Sequence, residues 1–266
     1  MIKILFAGCS YVQGFGLELE KHDPQNFCNI FTSEYFQDDH TVTNIGKSSS
    51  SNLSIYLSAS LTMIQQKFDY VFVGWTSYPR YNFRVGFETY EFGREVNFTP
   101  SSTLTAHNGH HLSYSQPWLN DFKKKYLLAH HAHFEVIEII KYMTLLSRLG
   151  DLEGTKVYFI NNLCPWTPGY FDRKLNFMPS ELDPYTQQIL DVGTRDDLEI
   201  FKLYTLMHND FESVGGMNPQ KCINLYQSFN SMMIDVGKDQ RHPGPLSHNK
   251  FGKFLSHKFS LIDTNS

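Results

Sequence analysis

The sequence has few cysteines, and their spacing excludes a small domain stabilised by disulfides or by a zinc ribbon. The four cysteines, Cys9, Cys28, Cys164 and Cys222, are widely spaced in 266 residues and form no Cys-x-x-Cys pair. A disulfide framework or a zinc ribbon needs closely and regularly spaced cysteines. We therefore expect free thiols, a reducing compartment and a fold stabilised by a hydrophobic core.

Long apolar runs and long basic runs are also missing. No apolar stretch approaches the roughly 18 residues that span a bilayer, and residues 2–7 lack the layout of a signal peptide. The formal net charge is -4, and no basic run exceeds the Lys123-Lys124-Lys125 triplet. Nucleic-acid binding leaves a clustered positive charge that this chain does not have. The sequence predicts a cytoplasmic protein without membrane or nucleic-acid partners.

Aromatic residues, by contrast, are abundant. The chain contains 22 Phe and 15 Tyr, and its hydrophobic fraction of 41% is that of a soluble globular protein. A chain of this length can form one large domain or two small ones. The aromatic content indicates either a large core or an aromatic-lined surface.

Strand-like and helix-like segments alternate along the chain, a pattern typical of a parallel sheet with helices on both faces. Residues 69–74 form a continuous apolar run, as expected of a strand that is buried on both faces. A weak fifth strand is expected at 222–225. The other predicted strands are 3–7, 41–45 and 156–161, and the predicted helices are 24–36, 52–68, 134–149, 196–210 and 247–261.

Residues 80–126 lack a clear periodicity and are too long for an ordinary connection. We interpret them as an irregular insertion that folds over the carboxyl edge of the sheet as a lid. The chain is then a single domain, residues 1–266, with that insertion at about 80–126.

Two short motifs at opposite ends of the chain carry the candidate chemistry. Gly8-Cys9-Ser10 follows the first predicted strand, and Asp239-Gln240-Arg241-His242 lies near the C-terminus. Three residues on a turn place an Asp carboxylate beside a His ring, and such a His can take a proton from a serine hydroxyl. The arrangement predicts Ser10 as nucleophile, His242 as general base and Asp239 as its orienter. Cys9 ranks second as nucleophile, because its position favours an inward side chain.

These motifs resemble those of the SGNH (GDSL-like) hydrolase superfamily. Gly8-Cys9-Ser10 matches the first block with Cys in place of Asp, Gly46 matches the second-block glycine, and Asp239 with His242 matches the last block in full. The resemblance implies a flavodoxin-like three-layer α/β/α sandwich with a mainly parallel, five-stranded sheet. It also implies a serine esterase or deacylase without a cofactor, in which the N–H groups of Ser10 and Gly46 hold the oxyanion.

The third block departs from the family pattern. Gly74-Trp75-Thr76-Ser77 stands where the family has Gly-x-Asn-Asp, so Thr76 replaces the asparagine that donates to the oxyanion. A threonine hydroxyl also donates a hydrogen bond, but over a shorter reach. This segment is similar to SGNH-like proteins of tailed bacteriophages, which implies a host cytoplasm and leaves a non-catalytic binding or assembly module as the alternative.

Aromatic and polar residues near the predicted strand ends are candidates for holding the substrate. Rings stack on sugars or aryl esters, and an arginine recognises an anionic group. The candidates are Trp75, Ser77, Tyr78, Arg80 and Trp166. The expected substrate is a small-molecule or carbohydrate ester, and the sequence leaves its acyl group and the oligomeric state open.

Two other kinds of site, a phosphate-binding loop and a zinc site, fit the sequence less well. A phosphate-binding loop after the first strand is disfavoured, because Gly8, Gly14 and Gly16 do not fit the Gly-x-Gly-x-x-Gly pattern. Histidines cluster at 107–111 and 130–133, but no cysteine or carboxylate nearby completes a zinc-binding set. We therefore predict no metal.

Overall fold

A computed structural model describes residues 1–37, 39–48, 50–76, 81–85, 94–98, 105–106, 132–162, 221–224 and 228–263. Its strands and helices follow one another in the order β1 (Ile2–Gly8), α1 (Ser10–Gln13), α2 (Phe27–Phe36), β2 (His40–Asn44), α3 (Asn52–Gln65), β3 (Tyr70–Trp75), β4 (Tyr81–Val85), β5 (Arg94–Phe98), β6 (Thr105–Ala106), α4 (Ala132–Glu153), β7 (Lys156–Asn161) and α5 (Pro245–Asp263).

Four of these strands form a parallel sheet in the order β2-β1-β3-β7. The two central strands are apolar over most of their length and buried on both faces, as helices on both sides of a parallel sheet require. The predicted α/β class is therefore confirmed. Because all four strands run the same way, their carboxyl ends lie at one edge, where open parallel sheets bind ligands.

The fifth strand, predicted at residues 222–225, is reduced to one parallel bridge between Phe159 and Cys222 in the described part of the chain. Beyond it, the side chain of Asn224 takes over the pairing. Its Oδ1 accepts from the N–H of Asn161 at 2.8 Å, and its Nδ2 donates to the carbonyl of Asn161 at 2.9 Å. A side-chain amide thus replaces the backbone groups that a longer strand would supply.

Helices cover both faces of the sheet and give three layers. Helices α2 and α5 pack on one face, and α3 packs beside α4 on the other. Aromatic side chains fill the first interface, where Phe31 contacts Phe72 and Phe259 edge to face at 4.9 and 5.5 Å between centroids. On the other face, Tyr56 stacks on Tyr142 at 4.8 Å. Much of the phenylalanine content therefore forms a core.

Residues 80–126 contain more regular structure than the sequence predicted. Strands β4, β5 and β6 pair antiparallel within this region and form a second, three-stranded sheet. Short strands of mixed polarity leave little periodicity in a sequence, which explains why the pattern showed none. None of the described helices is long and apolar enough to cross a membrane.

A polar contact fixes the end of α5 to the amino edge of the sheet. The Asp263 carboxylate accepts from the Tyr35 hydroxyl at 2.9 Å and pairs with the Lys156 ammonium at 2.9 Å. Burial and this carboxylate raise the pKa of Tyr35 well above its usual value. The helix that follows the Asp239–His242 loop is therefore held at its far end.

Candidate active site

Ser10 lies at the carboxyl edge of the sheet, as the first residue of α1. Strand β1 ends at Gly8, Cys9 stays extended with a φ of -87° and a ψ of -162°, and the chain then turns into the helix. Ser10 is 2% exposed and Cys9 is fully buried, so both side chains lie inside the protein surface. The inward position predicted for Cys9 is therefore confirmed.

The structure brings Ser10, His242 and Asp239 into one hydrogen-bonded chain. His242 Nε2 lies 3.0 Å from Ser10 Oγ, and His242 Nδ1 lies 2.5 Å from Asp239 Oδ2. The side chains of Asp239 and His242 are each 21% exposed, so the imidazole lies at the rim of the sheet and is open to solvent on one side. The two ends of the chain thus meet at this edge.

Asp239 determines which nitrogen of His242 carries the proton. A carboxylate only accepts hydrogen bonds, so the neutral ring donates from Nδ1 and leaves Nε2 free to accept from the Ser10 hydroxyl. Oδ1 of Asp239 accepts the backbone N–H groups of Arg241 and His242 at 3.2 and 3.1 Å. Burial acts to raise the pKa of Asp239, but hydrogen bonds from the His242 ring and from these two amides lower it below its usual value.

The loop that carries the two residues is closed by backbone bonds. The N–H of Gly237 donates to the carbonyl of His242 at 2.8 Å, and Val236 and Pro243 form an antiparallel bridge. Gln240, between the two functional residues, has a φ of +58°. This left-handed residue tightens the turn, so that the carboxylate and the ring face each other.

Two aromatic rings, which the sequence reasoning missed, flank the His242 imidazole. Tyr11 and Phe15 contact it at 5.8 and 5.0 Å between ring centroids, both at 65°. The Tyr11 hydroxyl donates to Asn230 Oδ1 at 2.8 Å, which fixes that ring. Their closeness to Ser10 in the sequence was the available signal, since the residues after a nucleophile line the same edge.

Gly46, predicted as an oxyanion donor, has an N–H that is already bonded. It donates to Asn44 Oδ1 at 2.9 Å. The next two amides are bonded as well, because Lys47 N–H donates to the carbonyl of Gly8 at 3.0 Å and Ser48 N–H to Gln13 Oε1 at 2.5 Å. This segment therefore ties β2 to β1 and α1, and Gly46 does not present an amide to a ligand.

Thr76, the other predicted donor, has a free hydroxyl beside a fixed backbone. Its N–H donates to Asn52 Oδ1 at 2.9 Å, and its carbonyl accepts from Asn52 Nδ2 at 3.5 Å. Thr76 is 1% exposed, and its Oγ1 has no hydrogen-bond partner among the described residues. A buried hydroxyl without a hydrogen-bond partner lowers the stability of the protein. The Thr76 hydroxyl can therefore donate to a ligand atom that reaches it. Asn52 holds the end of β3 in place.

The predicted substrate-binding residues are only partly placed. Trp75 is 2% exposed, and its ring stacks on Phe159 with centroids 6.0 Å apart. A ring buried in the core offers no face to a substrate, so the predicted stacking role of Trp75 does not fit its position. Ser77, Tyr78, Arg80 and Trp166 lie outside the described residues.

The histidine clusters at 107–111 and 130–133 also fall outside the side chains that the structure describes. Within the described residues, no group of three His, Cys, Asp or Glu side chains is arranged to hold a metal ion.

Comparison with known proteins gives matches among solved structures; no family model and no curated protein matches the chain. A carbohydrate acetylesterase family member from Sinorhizobium meliloti is 10% identical, covers 98% of this chain and 99% of its own, and has a TM-score of 0.49. A structure described as TesA is 12% identical, with coverages of 98% and 99% and a TM-score of 0.45. A member of the lipolytic protein G-D-S-L family from Veillonella parvula DSM 2008 is 13% identical, with both chains fully covered and a TM-score of 0.39.

The parallel sheet between two helix layers agrees with the three-layer α/β/α sandwich that the sequence predicts. The chemistry of the site has to be argued from the side chains of this chain.

Proposed function

We propose that the protein is a serine hydrolase that cleaves an acyl ester through a covalent acyl-enzyme. The observation that supports this proposal is the hydrogen-bonded chain from Ser10 Oγ through the His242 ring to Asp239, with distances of 3.0 and 2.5 Å. A hydroxyl bonded to an imidazole, which is in turn oriented by a carboxylate, is the arrangement that activates a weak nucleophile.

The reaction proceeds in two halves with the same proton carrier. Nε2 of His242 takes the Ser10 proton as Oγ bonds to the ester carbonyl carbon, and Asp239 stabilises the imidazolium. When the tetrahedral intermediate collapses, the carbon–oxygen bond to the alcohol breaks and His242 returns the proton to that alcohol. Water, activated by the same nitrogen, then attacks the acyl-Ser10 ester and releases the acid.

Ser10 and Thr76 are the described donors that we assign to the oxyanion. As the first residue of α1, Ser10 has an N–H with no acceptor inside the helix. The Thr76 hydroxyl is buried and unpaired in the described part of the chain. A single oxyanion-hole donor typically contributes about 100–1000-fold to the rate. Because Gly46 is bonded elsewhere, we expect modest turnover unless residues outside the described ranges supply a further donor.

A fluorophosphonate probe tests this function, because it phosphonylates a serine only when a base activates the hydroxyl. We expect the wild-type protein to be labelled and Ser10→Ala to remain unlabelled. Ser58→Ala is the control, since Ser58 is an exposed serine on α3; it should label like wild type. Absence of labelling in folded wild-type protein would refute the hydrolase and favour a binding module.

A further inference from the structure

We infer that Gly14-Phe15-Gly16, the turn that follows the Ser10 helix, is a positioning element that sets the distance between Ser10 Oγ and His242 Nε2. The inference rests on the proposed function, and it assigns a role to glycines that fit no phosphate-binding pattern. The turn contacts the Ser10 helix through its backbone and the Asp239–His242 loop through its backbone and one ring.

The turn is bonded directly to the Ser10 helix. Phe15 N–H donates to the carbonyl of Ser10 at 2.9 Å, and Gly14 N–H donates to the carbonyl of Tyr11 at 3.2 Å. Gly14 has a φ of +77°, which ends the helix after one turn. A displacement of the turn therefore moves the main chain of the nucleophile itself.

The same turn is bonded to the Asp239–His242 loop. Lys238 N–H donates to the carbonyl of Gly16 at 3.0 Å, one residue before Asp239. The backbones of Gly16 and Gly237 touch, because a Cβ built on Gly237 would lie 2.6 Å from the Gly16 oxygen. Real Cβ atoms do not approach backbone atoms this closely. Only glycine at 237 permits this contact.

Gly16 and Phe15 also contact the two functional side chains. Gly16 has a φ of +104°, and a Cβ on it would lie 3.0 Å from Asp239 Oδ1 and 3.3 Å from His242 Cβ. The Phe15 ring packs against the imidazole at 5.0 Å. Because both partners of the Ser10–His242 hydrogen bond are held by the same three residues, their separation depends on this turn rather than on the distant sheet alone.

Gly16→Ala tests the inference. Gly154→Ala is the matched control, because Gly154 also has a positive φ, +65°, but nothing lies within 4 Å of the added Cβ. Both variants introduce backbone strain, and only Gly16→Ala presses on Asp239 and His242. We expect the rate of phosphonylation by a fluorophosphonate to fall at least tenfold in Gly16→Ala and less than twofold in Gly154→Ala.

A second variant removes the contact between the Phe15 ring and the His242 imidazole without adding backbone strain. Phe15→Ala deletes the ring beside His242, and we expect slower phosphonylation together with a shift in the pH midpoint of that reaction, which a purely structural role would not move. Proton NMR of the His242 Nδ1–H resonance reports on its hydrogen bond independently of any reaction, and we expect a changed shift in both Gly16→Ala and Phe15→Ala.

The outcomes separate this inference from the proposed function. If wild-type protein does not react at all, the hydrolase proposal fails. If wild type reacts, and Gly16→Ala and Phe15→Ala match Gly154→Ala in rate, pH midpoint and Nδ1–H resonance, the positioning role is refuted while the hydrolase stands.

Discussion

Ser10 Oγ and His242 Nε2 lie 3.0 Å apart, although 232 residues separate them along the chain. The distance is set at the carboxyl edge of the sheet, where β1 delivers the serine and the loop before α5 delivers the histidine. Three hydrogen bonds within that loop converge on the Asp239 carboxylate, from the N–H groups of Arg241 and His242 and from the His242 ring. Each residue of this site has a specific role, and substitutions can test these roles separately.

Asp239→Asn should leave the fold intact and remove most of the activity. An amide in place of the carboxylate no longer requires Nδ1 to carry the proton, so the ring adopts the wrong tautomer toward Ser10. We expect ester hydrolysis to fall by about 1,000–10,000-fold with little change in the denaturation midpoint. Steady-state kinetics with an activated ester measures the loss.

The double variant supplies the control for that prediction. Residues that act as one unit are not additive, so Asp239→Asn combined with His242→Ala should be no slower than His242→Ala alone. Independent, additive losses would show that Asp239 does not act through His242.

Thr76→Val should separate stability from activity. Valine has the shape of threonine without the hydroxyl, and the Thr76 Oγ1 has no partner among the described residues. Deleting an unpaired buried hydroxyl should leave the free energy of unfolding unchanged or raise it by about 1 kcal/mol. If that hydroxyl donates to the oxyanion, kcat should fall about 100-fold or more.

Thr76→Ser provides the comparison, because it retains the hydroxyl and loses only a methyl group. Its kcat should stay close to that of wild type. Equal kcat values for Thr76→Val and wild type would exclude Thr76 from the oxyanion hole.

His248 should make the protein sensitive to mild acid. This fully buried ring accepts the N–H of Phe27 on Nδ1 at 3.1 Å. Burial lowers its pKa to about 3; Asp235 and Asp23 act to raise it and His242 lowers it further. In the unfolded chain His248 binds a proton near pH 6.5, whereas in the folded protein it stays neutral down to about pH 3. Protonation of His248 therefore favours the unfolded chain between these pH values. The free energy of unfolding is not reduced by this histidine above pH 6.5, and it decreases as the pH falls from 6.5 towards about 3. The slope is about 1.4 kcal/mol per pH unit.

Urea unfolding between pH 5 and 8 measures this slope. His248→Asn keeps an acceptor for Phe27 N–H and does not titrate, so its free energy of unfolding should vary less with pH between 5 and 6.5. The prediction fails if the variant and wild type lose stability in parallel.

The sequence predicted the central sheet well, because three of its four strands are largely apolar and buried over most of their length. Lys156–Asn161 has the predicted bounds, and β3 ends one residue later than predicted. The strand at 222–225 was overestimated, since the side chain of Asn224 bonds to Asn161 where backbone pairing was expected. A pattern of apolar residues does not show that a side-chain amide takes the place of backbone hydrogen bonds.

The candidate site was predictable where roles depend on residue type, and not where they depend on packing. Ser10, Asp239 and His242 have side chains suited to one chemistry, and the structure places them in contact. Gly46 was predicted as an oxyanion donor because of the family resemblance. Its N–H donates instead to the Asn44 side chain, a hydrogen bond that the sequence does not show. Trp75 looks like a surface residue in the sequence because it ends a strand, but Phe159 and the core enclose it.

The most direct measurement is to locate the covalent adduct by mass spectrometry of peptides after fluorophosphonate treatment. Ser10 and Cys9 are neighbours in the sequence, and fragmentation of the peptide that contains both distinguishes them. If His242 activates Ser10, wild-type protein carries one phosphonyl group per chain, on Ser10, and His242→Ala carries none. An adduct on Cys9, or equal modification of Ser10 with and without His242, would contradict this prediction.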